Sequence, residues 1–145
     1  MNEPSPPPGF EPLFRASPFL EMLGPFFYRK EADGSFVVGV RIAEKHTNTR
    51  GTAHGGLLMT MLDIAQGYRA ALSENPPANL STANLAADFI GAAKVGDWVE
   101  AHVEVQKVGS RLAFTTAFLV VNGERIARGS AVFSRGSGVL PRPEA

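Results

Sequence analysis

The sequence contains no cysteine, and it has no excess charge of either sign, since 14 basic residues balance 14 acidic ones. The first absence excludes disulfides and cysteine-ligated metals, and it makes a reducing cytoplasm the expected location. The second, together with the absence of any basic block, argues against nucleic-acid or membrane-surface partners. No carboxylates cluster with histidines at ligand spacing, so no metal and no cofactor are expected. His46 and His102 are expected at the surface.

An unbroken apolar run of membrane-spanning length is also missing. The most apolar segment, Leu57 to Leu72, is interrupted by Asp63, Gln66 and Arg69, whereas a membrane helix needs about 20 apolar residues. A helix that is apolar nearly all round must instead be enclosed by the rest of the fold. We therefore predict one long, buried central helix.

A pair of glycines opens this helix. The backbone N–H groups of the first turn have no intrahelical partners, and the positive end of the helix dipole lies there. Because Gly55 and Gly56 leave the backbone uncovered, it can bind an anion or a carbonyl oxygen that gains negative charge in a transition state. His54, just before them, is expected to bond a backbone group and to hold the turn.

Asp63 is the second unusual feature of the predicted helix. A carboxylate in apolar surroundings must be paired, hydrogen-bonded, shifted in pKa or turned toward a cleft. No cationic residue lies three or four positions away; its neighbours on that stripe are Thr60, Gln66 and Gly67. The sequence thus predicts a narrow polar seam, with a satisfied core acid as the alternative reading of Asp63.

The remaining pattern predicts a single α+β domain over residues 17–134, with loose tails at 1–16 and 135–145. A short N-terminal helix is indicated by Ser17, Pro18 and the stop at Gly24. The segment Phe26-Phe27-Tyr28 reads as core packing or as part of an apolar pocket. Strands are expected at 35–42, 79–90, 98–108, 111–121 and 124–134, the last four as an antiparallel meander. One antiparallel sheet would then curl round the central helix.

One motif carries a family resemblance. Its spacing is Asn-x-x-Gly-x-x-His-Gly-Gly, with an aspartate nine residues after the histidine, and it resembles the PaaI-like hotdog-fold acyl-CoA thioesterases. The similarity runs from about Phe19 to Ser134 and includes the segments 80–89 and 93–97. The resemblance implies a hotdog fold and thioester hydrolysis. The residues that match the motif are Asn48, Gly51, His54, Gly55, Gly56 and Asp63.

The resemblance also implies catalytic roles. The Gly55 N–H would bind the thioester carbonyl, with Asn48 near the reacting group unless its side chain merely closes an Asx turn. Asp63 would act as general base or as nucleophile, and the base is favoured. Thr82 would hydrogen-bond the water or the carboxylate, with ordinary strand packing as its alternative.

Substrate contacts are expected from His54, Gly56, Gln66 and Phe19. Phe19 and its aromatic neighbours suggest an apolar pocket for an aryl or medium-chain acyl group. Basic residues that could reach coenzyme A phosphates are Lys107, Arg111 and Arg128, although scattered basic residues are usually just solvated surface. A non-catalytic acyl-CoA binding module and an acyl thioester hydratase or dehydratase stay open as alternatives.

Helix geometry predicts the assembly. Gly55 and Asp63 are eight residues apart, about 12 Å along a helix that rises about 1.5 Å per residue. One thioester carbon cannot meet both groups. We therefore expect a homodimer, alone or in a dimer of dimers, with antiparallel helices side by side. Asn48 and Gly55 of one subunit would serve with Asp63 and Thr82 of its partner.

Overall fold

The computed structural model describes residues 5–141, in which one antiparallel sheet packs against one long helix. The sheet has seven strands in the order β1-β2-β3-β5-β6-β7-β4. Among residues 5–141, no helix is both long and apolar enough to cross a membrane. The elements in chain order are β1 Glu11–Pro12, α1 Pro18–Leu23, β2 Phe26–Lys30, β3 Phe36–Arg41, a 3-10 turn Glu44–His46, α2 Gly55–Leu72, β4 Ala78–Phe89, β5 Trp98–Val108, β6 Leu112–Val121 and β7 Glu124–Val139.

The predicted central helix is confirmed as α2. It packs against β3, β4, β5, β6 and β7, so its apolar side chains lie in the core, and Met61, Leu62 and Ala65 are fully buried. The helix ends where the Ser73 N–H donates to the carbonyls of Arg69 and Ala70. Prolines 76 and 77 then prevent its continuation.

The predicted four-strand meander is wrong in one respect. β5, β6 and β7 form a meander, but β4 pairs with β7 and lies at the edge of the sheet. The physical reason is the connection after β4. It is tied to Ile126 through the N–H groups of Ile90 and Gly91, and Lys94 bridges Thr52. The chain therefore crosses the end of the sheet before β5 pairs with β3.

Parts of the two predicted tails form strands of the sheet. β1 pairs with β2, an aromatic strand that the sequence left as packing or pocket. The Phe10 ring is buried against Trp98, with the ring centroids 4.9 Å apart. At the other end, β7 continues past residue 134 and pairs Val139 with Ala78. Residues 1–4 and 142–145 of the predicted tails lie outside the described residues.

His46 is buried, contrary to its predicted surface position. Its Nδ1 accepts a hydrogen bond from the Ala43 N–H at 2.9 Å, and its Nε2 bonds the Leu23 carbonyl. The ring therefore ties the turn before α2 to the end of α1. Burial lowers the pKa of His46; the bond to Leu23 opposes this effect, and the nearby Lys45 charge adds to it.

This burial predicts a pH-dependent stability. The pKa of the folded-state ring lies below the unfolded value of about 6.5, so the unfolded chain binds the proton more readily. Stability is then lost as the pH falls below about 6.5. We expect the free energy of unfolding in urea to be lower at pH 5.5 than at pH 7.5, and His46→Gln to reduce that difference. An equal pH dependence in both proteins would contradict the assignment.

Candidate active site

Asp63 is hydrogen-bonded to one side chain among residues 5–141. Thr82 on β4 points toward α2, and its Oγ1 donates to Asp63 Oδ1 at 2.6 Å. Asp63 is half-buried, and its second oxygen, Oδ2, makes no hydrogen bond with any part of the chain that the structure describes. The carboxylate is thus held in one orientation while one oxygen stays available as an acceptor.

The glycine turn presents one unused donor. His54 caps the helix, and its Nδ1 accepts from the Gly56 N–H at 2.8 Å. This is the backbone bond that the sequence predicts for His54, and it occupies the Gly56 donor. The Gly55 N–H makes no hydrogen bond within residues 5–141. Gly55 therefore offers the free donor at the positive end of α2.

Asn48 closes the loop before this turn. Its Oδ1 accepts from the N–H groups of Arg50 at 2.9 Å and Thr52 at 3.2 Å, and its Nδ2 donates to Thr52 Oγ1 at 3.0 Å. The Asx-turn reading of Asn48 is thus the one that the contacts support. The loop borders an open depression of about 700 Å³, lined by Thr47, Asn48, Thr49, Arg50, His54 and Gly55.

Gln66 is placed differently from its prediction. Its side chain is fully buried, with Nε2 donating to the Leu62 carbonyl at 3.0 Å and Oε1 accepting from Thr115 Oγ1 at 2.8 Å. The polar seam therefore does not extend from Asp63 to Gln66, because Gln66 faces the sheet. Gln66 joins α2 to β6 and has no surface left for a substrate.

Two of the N-terminal aromatic residues do not line an open pocket. Phe26 and Phe27 are buried in core packing. Phe19 is 58% exposed on α1, and within the described ranges no ring contact or hydrogen bond joins it to another candidate site residue. The aromatic side chain beside the glycine turn is one that the sequence did not single out, Phe89. A Cβ atom placed on Gly55 would lie 3.7 Å from its ring.

The structure therefore separates the candidate residues into two groups. Asn48, His54 and Gly55 lie together at the start of α2, while Asp63 and Thr82 lie two turns along it. Both groups lie against β4, the first through Phe89 and the second through Thr82. No group of three or more histidine and acidic side chains is placed to hold a metal ion anywhere in residues 5–141.

Comparison with known proteins decides the family. The sequence profile described as "Thioesterase superfamily" matches residues 50–127, a range that holds Gly55, Asp63 and Thr82. The chain belongs to the thioesterase superfamily. This confirms the predicted family and the predicted enzyme class, thioesterase, and the sheet and central helix match its hotdog fold.

Individual relatives agree with this assignment. The thioesterase is 51% identical over 127 residues to PA0474 of Pseudomonas aeruginosa, which is named provisionally as an esterase. The match covers 88% of this chain and 95% of the relative. It is 30% identical over 119 residues to human acyl-coenzyme A thioesterase 13, covering 81% and 84% of the two chains. The crystal structure of zebra fish thioesterase superfamily member 2 superposes with a TM-score of 0.76 at 31% identity, covering 85% and 91%.

The placement of Gln66 in this thioesterase predicts a stability effect. Thr115→Val should lower the free energy of unfolding by about 1–3 kcal/mol, because Gln66 Oε1 would stay buried without its donor. Gln66→Leu should lower the free energy of unfolding by a similar amount, because the buried Thr115 hydroxyl would lose its acceptor. The double variant should lose less free energy of unfolding than the sum of the two single losses, because neither partner of the pair is then left without the other. Additive losses in urea unfolding would contradict a direct, buried pair.

Proposed function

We propose that this thioesterase hydrolyses acyl-CoA, with an aryl or medium-chain acyl group, to the free acid and coenzyme A. The observation that carries the proposal is the Thr82–Asp63 hydrogen bond, which orients a carboxylate and leaves one oxygen unused. The Gly55 N–H, which has no hydrogen-bond partner in the described part of the chain, supplies the complementary donor. The name of the human relative, an acyl-coenzyme A thioesterase, supports the substrate class.

The reaction requires a base and an oxyanion donor. The Gly55 N–H binds the thioester carbonyl oxygen, and its place at the helix start favours the negative charge that develops there. Asp63 takes a proton from a water molecule as the water oxygen attacks the carbonyl carbon. The carbon–sulfur bond then breaks, and the leaving thiolate of coenzyme A takes the proton from Asp63. Direct attack by Asp63 to form a mixed anhydride is the alternative route.

Asn48 has an indirect role in this proposal. Both of its side-chain atoms bond within its own loop, and that loop leads directly into His54 and Gly55. Asn48 is therefore a positioning residue that holds the approach to the oxyanion donor. Likewise, His54 positions the donor by capping Gly56, which leaves Gly55 as the exposed N–H.

Two copies of the chain are needed to bring the groups together. Within one α2, Gly55 and Asp63 are about 12 Å apart along the axis, whereas both must lie within about 3.5 Å of one thioester group. The edge strand β4 offers a remedy, because nothing within residues 5–141 pairs with its outer edge. A second copy can add its own β4 there, about 4.8 Å away.

The positions along β4 agree with such a pairing. Thr82 and Phe89 both face α2 from β4, the first beside Asp63 and the second beside Gly55. A two-fold axis beside β4 would set the second β4 antiparallel to the first, so that the Thr82 end of one strand lies next to the Phe89 end of the other. The Asp63–Thr82 pair of each copy would thereby approach the Gly55 N–H of the other. We propose a homodimer with two equivalent shared sites; assembly into a dimer of dimers is compatible with it.

A non-catalytic acyl-CoA binding module would use the glycine turn but would have no need of an oriented carboxylate. Incubation with a panel of acyl-CoAs and a thiol reagent separates the two functions, because only hydrolysis frees the coenzyme A thiol. A hydratase would consume the acyl-CoA without releasing thiol. The cytoplasmic location inferred from the lack of cysteine stays a prediction.

Asp63→Asn tests the proposed base. The amide has the same shape and can still accept from Thr82, but it cannot take a proton, so turnover should fall by about 10²–10⁴-fold. The melting curve and the affinity for a nonhydrolysable acyl-CoA analogue should change little. A folded variant that keeps more than about a tenth of the wild-type rate would show that Asp63 is not the base.

Thr82→Ala should have a smaller effect. It removes one hydrogen bond to the carboxylate, so a fall of about ten- to hundredfold in kcat is expected. Thr82→Ser is the matched control, because it keeps the hydroxyl and should retain most of the rate. If both variants behave as wild type, Thr82 contributes only to strand packing.

A further inference from the structure

One surface that borders Gly55 is polar. It is the depression bordered by the Asn48 loop, and it carries the exposed side chain of Arg50. The Arg50 guanidinium makes no hydrogen bond or ion pair with residues 5–141, although the Arg50 backbone N–H is held by Asn48 Oδ1. A cation on a well-held loop, with no partner of its own, is suited to bind a phosphate group.

The basic residues suggested by the sequence are placed less favourably. Arg128 lies across the sheet from α2 and is paired with Asp88 at 2.9 Å. Lys107 and Arg111 lie near the hairpin between β5 and β6. Within the same chain, the depression lies near the start of β5, through the Lys94–Thr52 bridge, about 30 Å from these residues at about 3.3 Å per strand residue. Arg50 is therefore the better candidate for contact with coenzyme A.

A second surface beside Gly55 is apolar. Phe89 ends β4 with its ring beside Gly55, and it is 50% exposed. The next residue, Ile90, is 61% exposed. An acyl-CoA thioester has the same asymmetry about its carbonyl, with an apolar acyl group on one side and an anionic nucleotide on the other.

We infer that acyl-CoA lies across Gly55 in one direction, with its phosphates beside Arg50 and its acyl group over Phe89. This inference rests on the proposed function and names its two specificity determinants. Arg50 binds the phosphates outside the reacting centre, so it contributes to substrate affinity and not to the chemical step. Phe89 contributes apolar contact that grows with the length of the acyl group.

The proposed contact between Arg50 and the phosphates is tested with two octanoyl thioesters. One is octanoyl-CoA, and the other is octanoyl-pantetheine, which lacks the nucleotide and its phosphates. Arg50→Gln should raise KM for octanoyl-CoA about tenfold, as expected for a lost charge-assisted contact, with kcat within about twofold. KM for octanoyl-pantetheine should be unchanged. Arg128→Gln, the same change on the face of the sheet opposite α2, should affect neither. An equal effect of Arg50→Gln on both substrates, or no effect, would overturn the assignment.

The proposed contact between Phe89 and the acyl group is tested with acetyl-CoA and octanoyl-CoA. Phe89→Ala should lower the kcat/KM ratio of octanoyl-CoA to acetyl-CoA by about tenfold, because only the longer acyl group reaches the ring. Phe89→Leu, which keeps an apolar side chain and serves if the alanine variant does not fold, should keep most of the ratio. Sedimentation accompanies both assays. An unchanged ratio, or a loss explained by a changed oligomeric state, would overturn this role.

Failure of the proposed function gives a different result. If wild type hydrolyses none of the acyl-CoAs, the function is wrong, and calorimetry with coenzyme A and pantetheine still measures the contribution of Arg50. Weaker binding of coenzyme A to Arg50→Gln, with pantetheine unaffected, would support the phosphate contact. Absence of coenzyme A binding to wild type would refute the contact together with the function.

Discussion

The length of the helix between Gly55 and Asp63 is the constraint on which the account depends. An α-helix is rigid over eight residues, so the proposed oxyanion donor, Gly55, and the Asp63 carboxylate stay about 12 Å apart along the axis of one chain's helix. Each group has a local support of its own: His54 caps the turn at Gly55, and Thr82 orients Asp63. Neither support shortens the separation. In the proposed mechanism the chain therefore carries two half-sites, and a complete site requires a second copy.

The sheet explains why both half-sites lie at an open edge. β4 is the last strand in the order and pairs only with β7 among the described strands, so its other edge stays free. Its residues that face α2 include Thr82 near Asp63 and Phe89 near Gly55. A strand added along that edge would meet both half-sites at once. In the proposed enzyme, β4 thus pairs with β7, pairs with the second copy and contacts both half-sites.

The sequence was sufficient for the parts that depend on local pattern. The buried helix followed from its apolar run, and the turns and capping of the helix followed from Gly55, Gly56 and His54. Long-range pairing was harder to predict: the sequence could not show that β4 pairs with β7, because alternation along a strand does not identify its neighbour. Gln66 was misplaced because a polar side chain in an apolar helix can face either a cleft or a buried partner. No sequence pattern singled out Phe89 or Arg50, because only the fold shows that Phe89 lies beside Gly55 and that Arg50 borders the same depression as Gly55.

A subunit-mixing experiment tests the shared site most directly. Asn48→Ala disturbs the Gly55 half-site and Asp63→Asn disables the other, so a heterodimer of the two variants holds one site with both defects and one with neither. Differently tagged chains would allow its isolation. A shared site predicts two nearly inactive parents and a heterodimer with about half of the wild-type activity, since independent sites add. If a verified heterodimer stays as inactive as its parents, each site is contained within one chain and the account is wrong.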